Sequence, residues 1–216
     1  MPKVKLGIQD EGQSSSSIIS MALEAANSFH LDTNISVIAD VGGGRGDFSK
    51  KICSWVKQVT LLDYSPSMNN SPKVEGVCCD LNFTWPLEAN TLDALFSLEV
   101  IEHLENPRHF FREVKRVLKP GGYGFVSTPN NHNIFSRMLF FYSGCHRFFQ
   151  DSCYPAHITA LLKKDLERIL AENNFEEVQF LYNFEDVIPK LGWKICIQSG
   201  LFSNSIGVVF KKPLAE

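Results

Sequence analysis

The sequence lacks the patterns that mark secreted, membrane-spanning and zinc-binding proteins. Its six cysteines show no Cys-x-x-Cys spacing, which argues against a zinc site and against the disulfide framework of a small secreted protein. The N-terminus has no basic-then-apolar secretory signal, and no apolar run approaches the roughly eighteen residues that span a membrane. These absences predict a soluble, cytoplasmic protein with reduced thiols.

An excess of positive charge is also missing. The 216 residues carry a formal net charge of −3, with a pI of about 6.1, whereas domains that bind duplex nucleic acid are usually basic. Duplex nucleic acid is therefore not an expected partner, and a local RNA-binding groove stays open. With 44% hydrophobic residues, the chain predicts one domain over residues 18–216 after a flexible segment at residues 1–17.

Short apolar runs alternate with amphipathic segments along most of the chain. Helical spacing of apolar residues predicts helices at 18–29, 107–118 and 164–174. Apolar runs predict strands at 37–41, 59–63, 77–81, 94–98 and 123–128, followed by two final strands at 175–181 and 205–211. The alternation predicts an α/β fold with a largely parallel sheet and right-handed crossovers.

A glycine-rich turn follows the first predicted strand. Asp40 stands at the strand end, and Gly42, Gly44 and Gly46 follow at alternate positions, where they allow a tight turn close to a ligand. The dinucleotide fingerprint is incomplete because Asp47 replaces its third glycine, and no Gly-Lys-Ser/Thr of a Walker loop follows. An acid beside a phosphate would be repulsive. The pattern instead suits a ligand that carries an ammonium and a sulfonium.

Acidic residues also end the next two predicted strands. Asp63, followed by Tyr64, lies about twenty residues beyond the glycine turn, where a carboxylate can accept hydrogen bonds from ribose hydroxyls. Asp80, followed by Leu81, ends the third predicted strand. A single acid at a strand end is usually a cap or turn residue. Its spacing from the glycine turn favours a ribose-binding role for Asp63.

These motifs, with the later run Arg-Val-Leu-Lys-Pro-Gly-Gly, resemble the class I S-adenosylmethionine-dependent methyltransferases, and in particular the ubiquinone-biosynthesis O-methyltransferases. The resemblance covers about residues 35–180. It implies a Rossmann-like, seven-stranded sheet with helices on both faces and the last strand antiparallel between its neighbours. It also implies S-adenosyl-L-methionine as cofactor. The implied cofactor-binding residues are Asp40, Gly42, Gly44 and Gly46 for the methionine part, Asp63 and Tyr64 near the ribose, Asp80 and Leu81 at the adenine, and Leu98.

A cluster of acids and histidines follows the fourth predicted strand. If a helix begins there, Glu99, Glu102 and His103 share one face, and His157 could add a fourth ligand. Such mixed ligands suit magnesium, manganese, iron or zinc, with open positions for two substrate oxygens. By resemblance, ubiquinone-pathway and small-RNA methyltransferases are similar at Glu-x-x-Glu-His. Without a metal, His103 or His157 would be a general base, His157 could equally be a substrate contact or a capping residue, and the acids would be solvated.

Residues 129–162 are predicted to form a lid-like insertion over the carboxyl edge of the sheet. The segment is rich in aromatic residues, among them Phe148, Phe149 and Tyr154. An aromatic lid could stack a planar substrate or contact a membrane surface peripherally. The alternative is that these side chains only seal a core.

The sequence as a whole predicts an enzyme that methylates a small molecule, with O-methylation by in-line transfer as the favoured reaction. Two alternatives stay open, namely terminal 2′-O-methylation of RNA and a non-catalytic protein that only binds S-adenosylmethionine. The methyl acceptor and the oligomeric state are left undetermined.

Overall fold

The computed structural model describes residues 15–66, 71–183, 186–187, 194–195 and 198–214. Seven strands form one sheet in the order β3-β2-β1-β4-β5-β9-β6. Two further short strands, β7 and β8, pair with each other. The strands are β1 (Val37–Val41), β2 (Gln58–Asp63), β3 (Val74–Cys78), β4 (Leu92–Leu98), β5 (Leu118–Pro129), β6 (Glu176–Tyr182), β7 (Asp186–Val187), β8 (Lys194–Ile195) and β9 (Ser205–Lys211).

The predicted sheet topology is confirmed. Strands β1 to β5 pair in parallel, with Ile38 opposite Val59 on one side and opposite Ala94 on the other. The last strand, β9, runs antiparallel between β5 and β6. In this order β1 and β4 are central neighbours, and the chain crosses over between them. Ligands of open α/β sheets bind beyond the carboxyl ends of the strands at such a switch point.

Helices cover both faces of the sheet. Adjacent residues of a strand point to opposite faces, and Leu95 and Phe96 of β4 accordingly belong to two different core clusters. The Phe96 cluster packs α1 and α2 against the sheet, and the Leu95 cluster packs α3 and α5. The helices are α1 (Ser16–Asn27), α2 (Asp47–Ile52), α3 (Pro107–Val117), α4 (Ile134–Ser143) and α5 (Lys163–Glu172), with 3-10 turns at Ile101–His103 and Asp151–Cys153.

Three segment predictions need correction. The third strand ends at Cys78, so Asp80 lies two residues beyond it and not at its end. The helix predicted to begin at Glu99 is only the 3-10 turn Ile101–His103. Helix α1 begins at Ser16, within the segment predicted to be flexible, and residues 1–14 lie outside the described residues. The division into a leading segment and one domain stays a prediction.

Within the described parts of the chain, no helix has the length and apolar character needed to cross a bilayer.

Candidate functional site

The Asp40 side chain faces the protein interior, which differs from its predicted contact with a ligand. Only 1% of the residue is exposed, and its Oδ2 accepts hydrogen bonds from the Ser49 hydroxyl at 2.6 Å and the Ser49 N–H at 3.2 Å. Burial raises the pKa of this carboxyl from 3.8 to about 6, although the two bonds from Ser49 lower it. Asp40 therefore fixes the first turn of α2 onto the end of β1.

Two residues of the glycine turn pack closely against neighbours because they have no side chain: Gly43 against Asp40 and Gly42 against Val100. A Cβ on Gly43 would lie 2.5 Å from the Asp40 carboxylate and would also meet Leu61. Gly42 has a φ of +75°, and a Cβ there would meet both γ carbons of Val100. Gly44 and Gly46 also have positive φ, at 50° and 67°. The sequence prediction omitted Gly43, since it stands outside the alternating motif.

Asp63 joins the glycine turn to the carboxyl end of β2. Its Oδ2 accepts the Gly44 N–H at 2.9 Å, and its Oδ1 accepts the Ser65 N–H at 2.8 Å. Each carboxylate oxygen has a second lone pair, so two bonded amides leave acceptor capacity for a ligand. The strand ends meet here because β1 and β2 are adjacent and parallel, with Val41 opposite Leu62.

The remaining predicted cofactor residues surround this edge in different environments. Tyr64 is mostly exposed directly after β2, and Asp80 is exposed, with its Oδ1 accepting the Asn82 N–H at 2.9 Å. Leu81 and Leu98 are buried, and Leu98 ends the central strand β4. Their contacts with a cofactor stay predictions.

Three of the four predicted metal ligands come together at the end of β4. Ligand atoms of Glu102, His103 and His157 all lie within 4.8 Å of one another. The two imidazole rings are 4.8 Å apart between centroids. Backbone bonds hold the segment that follows His157 against the 3-10 turn, because the Glu102 carbonyl accepts the N–H groups of Ile158 at 3.0 Å and Thr159 at 2.9 Å.

Both histidines are oriented by carbonyl oxygens, which can only accept hydrogen bonds. His103 Nδ1–H donates to Ala156 O at 2.8 Å, and His157 Nδ1–H donates to Phe148 O at 2.8 Å. In a neutral imidazole this arrangement leaves the ring lone pair on Nε2. Metal-binding histidines almost always use their second nitrogen in this way.

Glu102 is the buried acid of the cluster. It is fully inaccessible to solvent, its Oε2 accepts the Thr128 hydroxyl at 3.1 Å, and its Oε1 has no hydrogen-bond partner among the described residues. Burial raises the pKa of Glu102 well above its ordinary value, and the nearby Glu99 raises it further. A bound cation would satisfy both the orphaned oxygen and the negative charge.

Glu99 lies outside this group, in contrast to the predicted set of four. Its φ of +56° turns the chain away from β4 before the 3-10 turn begins, so the i, i+3 and i+4 positions of a helix do not exist. Its Oε1 accepts the Ser127 hydroxyl at 3.0 Å, and burial raises the pKa of the carboxyl to about 7.

Two hydroxyl residues that hold these acids were not among the predicted site residues. Ser127 donates to Glu99, and Thr128 donates to Glu102. Both stand at the carboxyl end of β5, which is the parallel neighbour of β4, with Ser127 opposite Leu98. The sequence could have indicated both residues, because they end a predicted strand that lies beside the strand before Glu99.

The buried Asp40 predicts a pH effect on stability. The folded state binds the Asp40 proton more tightly than the unfolded chain, so the bound proton raises the free energy of unfolding. This stabilisation is complete below pH 3.8 and is lost as the pH rises through about 6. The full loss is about 3 kcal/mol, of which about 1 kcal/mol falls between pH 5 and pH 8. Asp40→Asn should remove this difference in urea unfolding. A variant whose stability changes with pH as in the wild type would contradict the assignment.

Comparison with known proteins confirms the resemblance to methyltransferases. Residues 39–126 match a family model described as "Methyltransferase domain". The ubiquinone biosynthesis O-methyltransferase of Xanthomonas oryzae pv. oryzae (strain PXO99A) is 29% identical over 112 residues. That alignment covers 48% of this chain and 47% of the relative, so the chain spans about half the length of that relative.

Solved structures of methyltransferases share the fold. A SAM-dependent methyltransferase from Archaeoglobus fulgidus superposes with a TM-score of 0.64 at 19% identity, covering 92% of this chain and 95% of that one. Phosphoethanolamine N-methyltransferase 2 of Haemonchus contortus, in complex with S-adenosyl-L-methionine, gives a TM-score of 0.63 at 16% identity. Here 90% of this chain matches 52% of the other.

Proposed function

We propose that this chain, whose residues 39–126 match a methyltransferase domain, transfers the methyl group of S-adenosyl-L-methionine to an oxygen of a small molecule. The observation that carries the proposal is the contact between Asp63 and the Gly44 amide, at the switch point of the sheet. It places a carboxylate beside the glycine turn, where a ribose would bind. The Glu102, His103 and His157 cluster stands at the end of β4, the other neighbour of β1.

In the proposed reaction the acceptor oxygen bonds to the methyl carbon while the carbon–sulfur bond breaks. The electron pair of that bond moves to sulfur, which becomes a neutral thioether. The protein must align oxygen, carbon and sulfur and exclude water. The acceptor hydroxyl must also lose its proton, and the Nε2 atoms of His103 and His157 are the candidate bases at this edge.

As the alternative to base catalysis by these histidines, we propose that Glu102, His103 and His157 hold a divalent cation. The donor set fits, because Glu102 Oε1 is buried without a hydrogen-bond partner and both imidazoles are oriented through Nδ1. One carboxylate and two imidazoles suit iron, manganese or zinc and leave coordination positions open. When bound, a cation of this kind lowers the pKa of substrate oxygens that contact it.

The relatives support oxygen as the acceptor atom. The Xanthomonas relative is named as an O-methyltransferase, whereas the Haemonchus structure is of an N-methyltransferase that shares only the fold at 16% identity. Oxygen also agrees with the acid and histidine cluster, since a hydroxyl needs deprotonation and a neutral amine does not.

Calorimetry with S-adenosyl-L-methionine tests the cofactor site. Asp63→Ala is expected to weaken binding at least about tenfold, because charge-assisted bonds to the ribose are lost. Glu75→Ala on β3 is the matched control. This exposed acid accepts a hydrogen bond from Gln58 near the amino ends of β2 and β3, opposite to the candidate site, so its loss should leave affinity unchanged. Thermal unfolding of both variants checks the fold. Equal affinity in wild type and Asp63→Ala would contradict the assigned ribose contact.

Transfer of a labelled methyl group tests the reaction itself. Phenols, catechols and short RNA with a free terminal 2′-hydroxyl should be offered in parallel with an extract of small molecules. Labelled small molecules are the expected product. Labelled RNA would favour the RNA-modifying alternative, and tight cofactor binding with no labelled product in any mixture would favour a non-catalytic protein.

A further inference from the structure

Three buried asparagines follow β5, and one of them has an amide oxygen without a hydrogen-bond partner. Asn130, Asn131 and Asn133 are all at most 2% exposed. Asn130 and Asn133 are bonded at both ends of the amide, since each accepts a backbone N–H through Oδ1 and donates to a carbonyl through Nδ2. Asn131 Nδ2 donates to Leu161 O at 3.0 Å, but Asn131 Oδ1 is buried with no partner among the described residues.

The contact with Leu161 fixes which end of the Asn131 amide is unpaired. A carbonyl oxygen can only accept hydrogen bonds, so the NH₂ group must face Leu161 O and Oδ1 must point away from it. The unpaired atom is therefore an acceptor, and it needs an O–H or N–H donor. A buried acceptor without a donor destabilises the folded protein, and the few that native structures keep call for an explanation.

Asn131 belongs to the candidate site, because it bridges the same two segments as Glu102. Glu102 accepts the Thr128 hydroxyl at the end of β5, and its carbonyl accepts the Ile158 N–H. Asn131 stands two residues beyond the end of β5 and donates to Leu161, three residues after Ile158. The Glu102 carboxylate also has one buried oxygen without a partner. The two unpaired oxygens therefore belong to neighbouring bridges between β5 and the segment that contains Leu161.

We propose that Asn131 is a specificity-determining residue, whose Oδ1 accepts a hydrogen bond from the methyl acceptor. This inference rests on the methyl transfer to a small molecule proposed above. The acceptor then carries a second O–H or N–H group besides the hydroxyl that is methylated. The reacting hydroxyl faces the cluster of Glu102, His103 and His157, and the second donor reaches Asn131. An uncharged amide favours an uncharged donor, since a buried cation there would need a negative partner.

A site of this kind rejects acceptors that lack the second donor. With such an acceptor bound, Asn131 Oδ1 would stay buried and unpaired, and the complex would be weakened by that cost. Sites that hydrogen-bond a substrate hydroxyl therefore discriminate strongly against analogues without it, whereas hydrophobic contacts alone discriminate weakly. The proposal thus defines the acceptor class as small molecules with at least two hydrogen-bond donors.

Calorimetry on protein saturated with S-adenosylhomocysteine tests the contact without methyl transfer. The probes are phenol and 1,2-, 1,3- and 1,4-dihydroxybenzene, which place a second hydroxyl at different spacings. Wild type should bind at least one diol about tenfold more tightly than phenol. Asn131→Leu, which has a similar branched shape but no acceptor, should lower this preference at least about fivefold. A cation at the cluster would contribute equally in both proteins, so the change in preference isolates the amide oxygen.

Asn130→Leu is the matched control, since Asn130 is an equally buried neighbour whose amide is bonded at both ends. It should change the affinity for all probes alike and so keep the wild-type preference. Asn131→Ala is a second variant, which removes the oxygen without adding volume if the leucine variant does not fold. Loss of the Leu161 bond in either Asn131 variant affects phenol and diols equally, so only the ratio of their affinities reports on Oδ1.

Two results would overturn the proposal. Wild type that binds no diol more tightly than phenol would show that no second donor is recognised. A preference that both Asn131 variants retain would place the recognition elsewhere and leave Asn131 as a packing residue. Neither result would contradict methyl transfer, which the labelled-methyl assay tests independently. Wild type without affinity for S-adenosylhomocysteine would contradict the proposed function itself, and this inference with it.

Discussion

Glu102→Gln is expected to lower kcat/KM for methyl transfer at least about a hundredfold. Glutamine has nearly the same shape, and its amide oxygen can still accept the Thr128 hydroxyl, so the fold should persist. Its NH₂ group, however, replaces the carboxylate oxygen that has no hydrogen-bond partner in the described structure. A donor at that position cannot bind a cation. Steady-state kinetics with an identified acceptor measures the loss.

Glu105→Gln is the matched control, since this acid is exposed three residues along the same segment. It should keep wild-type activity. Chelation separates the two proposed roles of the cluster: if the residues hold a cation, EDTA should inactivate the wild type and added manganese, iron or zinc should restore it. Full activity in metal-free protein, with loss only in His103→Ala or His157→Ala, would show that the histidines act as bases alone.

The sheet was predictable from the sequence because its signal is local and repeated. The central parallel strands β1, β2 and β4 are buried on both faces, so each is a short apolar run that is followed by a turn. The glycine turn was equally clear. Gly42, Gly44 and Gly46 all adopt positive φ, which other residues rarely do. The antiparallel position of β9 between its neighbours was predicted only from the resemblance, because the local sequence does not specify which strands it pairs with.

The geometry of the acidic cluster was not predictable from spacing alone. The spacing of Glu99, Glu102 and His103 suits one helix face, but the chain leaves β4 with Glu99 at a φ of +56° and forms only a short 3-10 turn. Tertiary contacts decide this, since Ser127 holds Glu99 and Thr128 holds Glu102. These partners come from β5, and the sequence does not show which side chains meet across two strand ends.

The direction of the Asp40 side chain was also not predictable from the sequence. An acid before a glycine turn suggested contact with a positively charged ligand, but Ser49 in α2 binds the carboxylate in the interior. Gly43 allows the turn to cover it, since a Cβ there would collide with Asp40 and Leu61. The same motif can therefore hold a ligand through its backbone while its acid serves the fold. Only the direction of the side chain distinguishes the two roles.

Gly42→Ala and Gly144→Ala are expected to differ sharply although both glycines have nearly the same φ, +75° and +74°. The left-handed conformation costs alanine about 1–2 kcal/mol at either position. At Gly144 a Cβ meets nothing within 4 Å, so this conformational cost should be the whole loss of stability. Cofactor affinity should stay unchanged. At Gly42 the Cβ would meet Val100, with its Cγ1 at 2.7 Å, and overpacking adds about 1–3 kcal/mol.

The glycine turn must shift to relieve this contact, so Gly42→Ala is also expected to weaken S-adenosyl-L-methionine binding at least about tenfold, or about 1.4 kcal/mol. A double-mutant cycle with Val100→Ala isolates the cause, because it removes both γ carbons that a Cβ at Gly42 would meet. The double variant should be at least about 1 kcal/mol more stable in urea unfolding than the sum of the single effects predicts. If the unfolding free energies of the two single variants are strictly additive, backbone strain alone acts at Gly42. The same conclusion would follow if Gly144→Ala weakened cofactor binding as much as Gly42→Ala does. Positive coupling would instead show that the absence of a side chain at Gly42 lets the turn pack against Val100 directly beyond β4, where the acidic cluster begins.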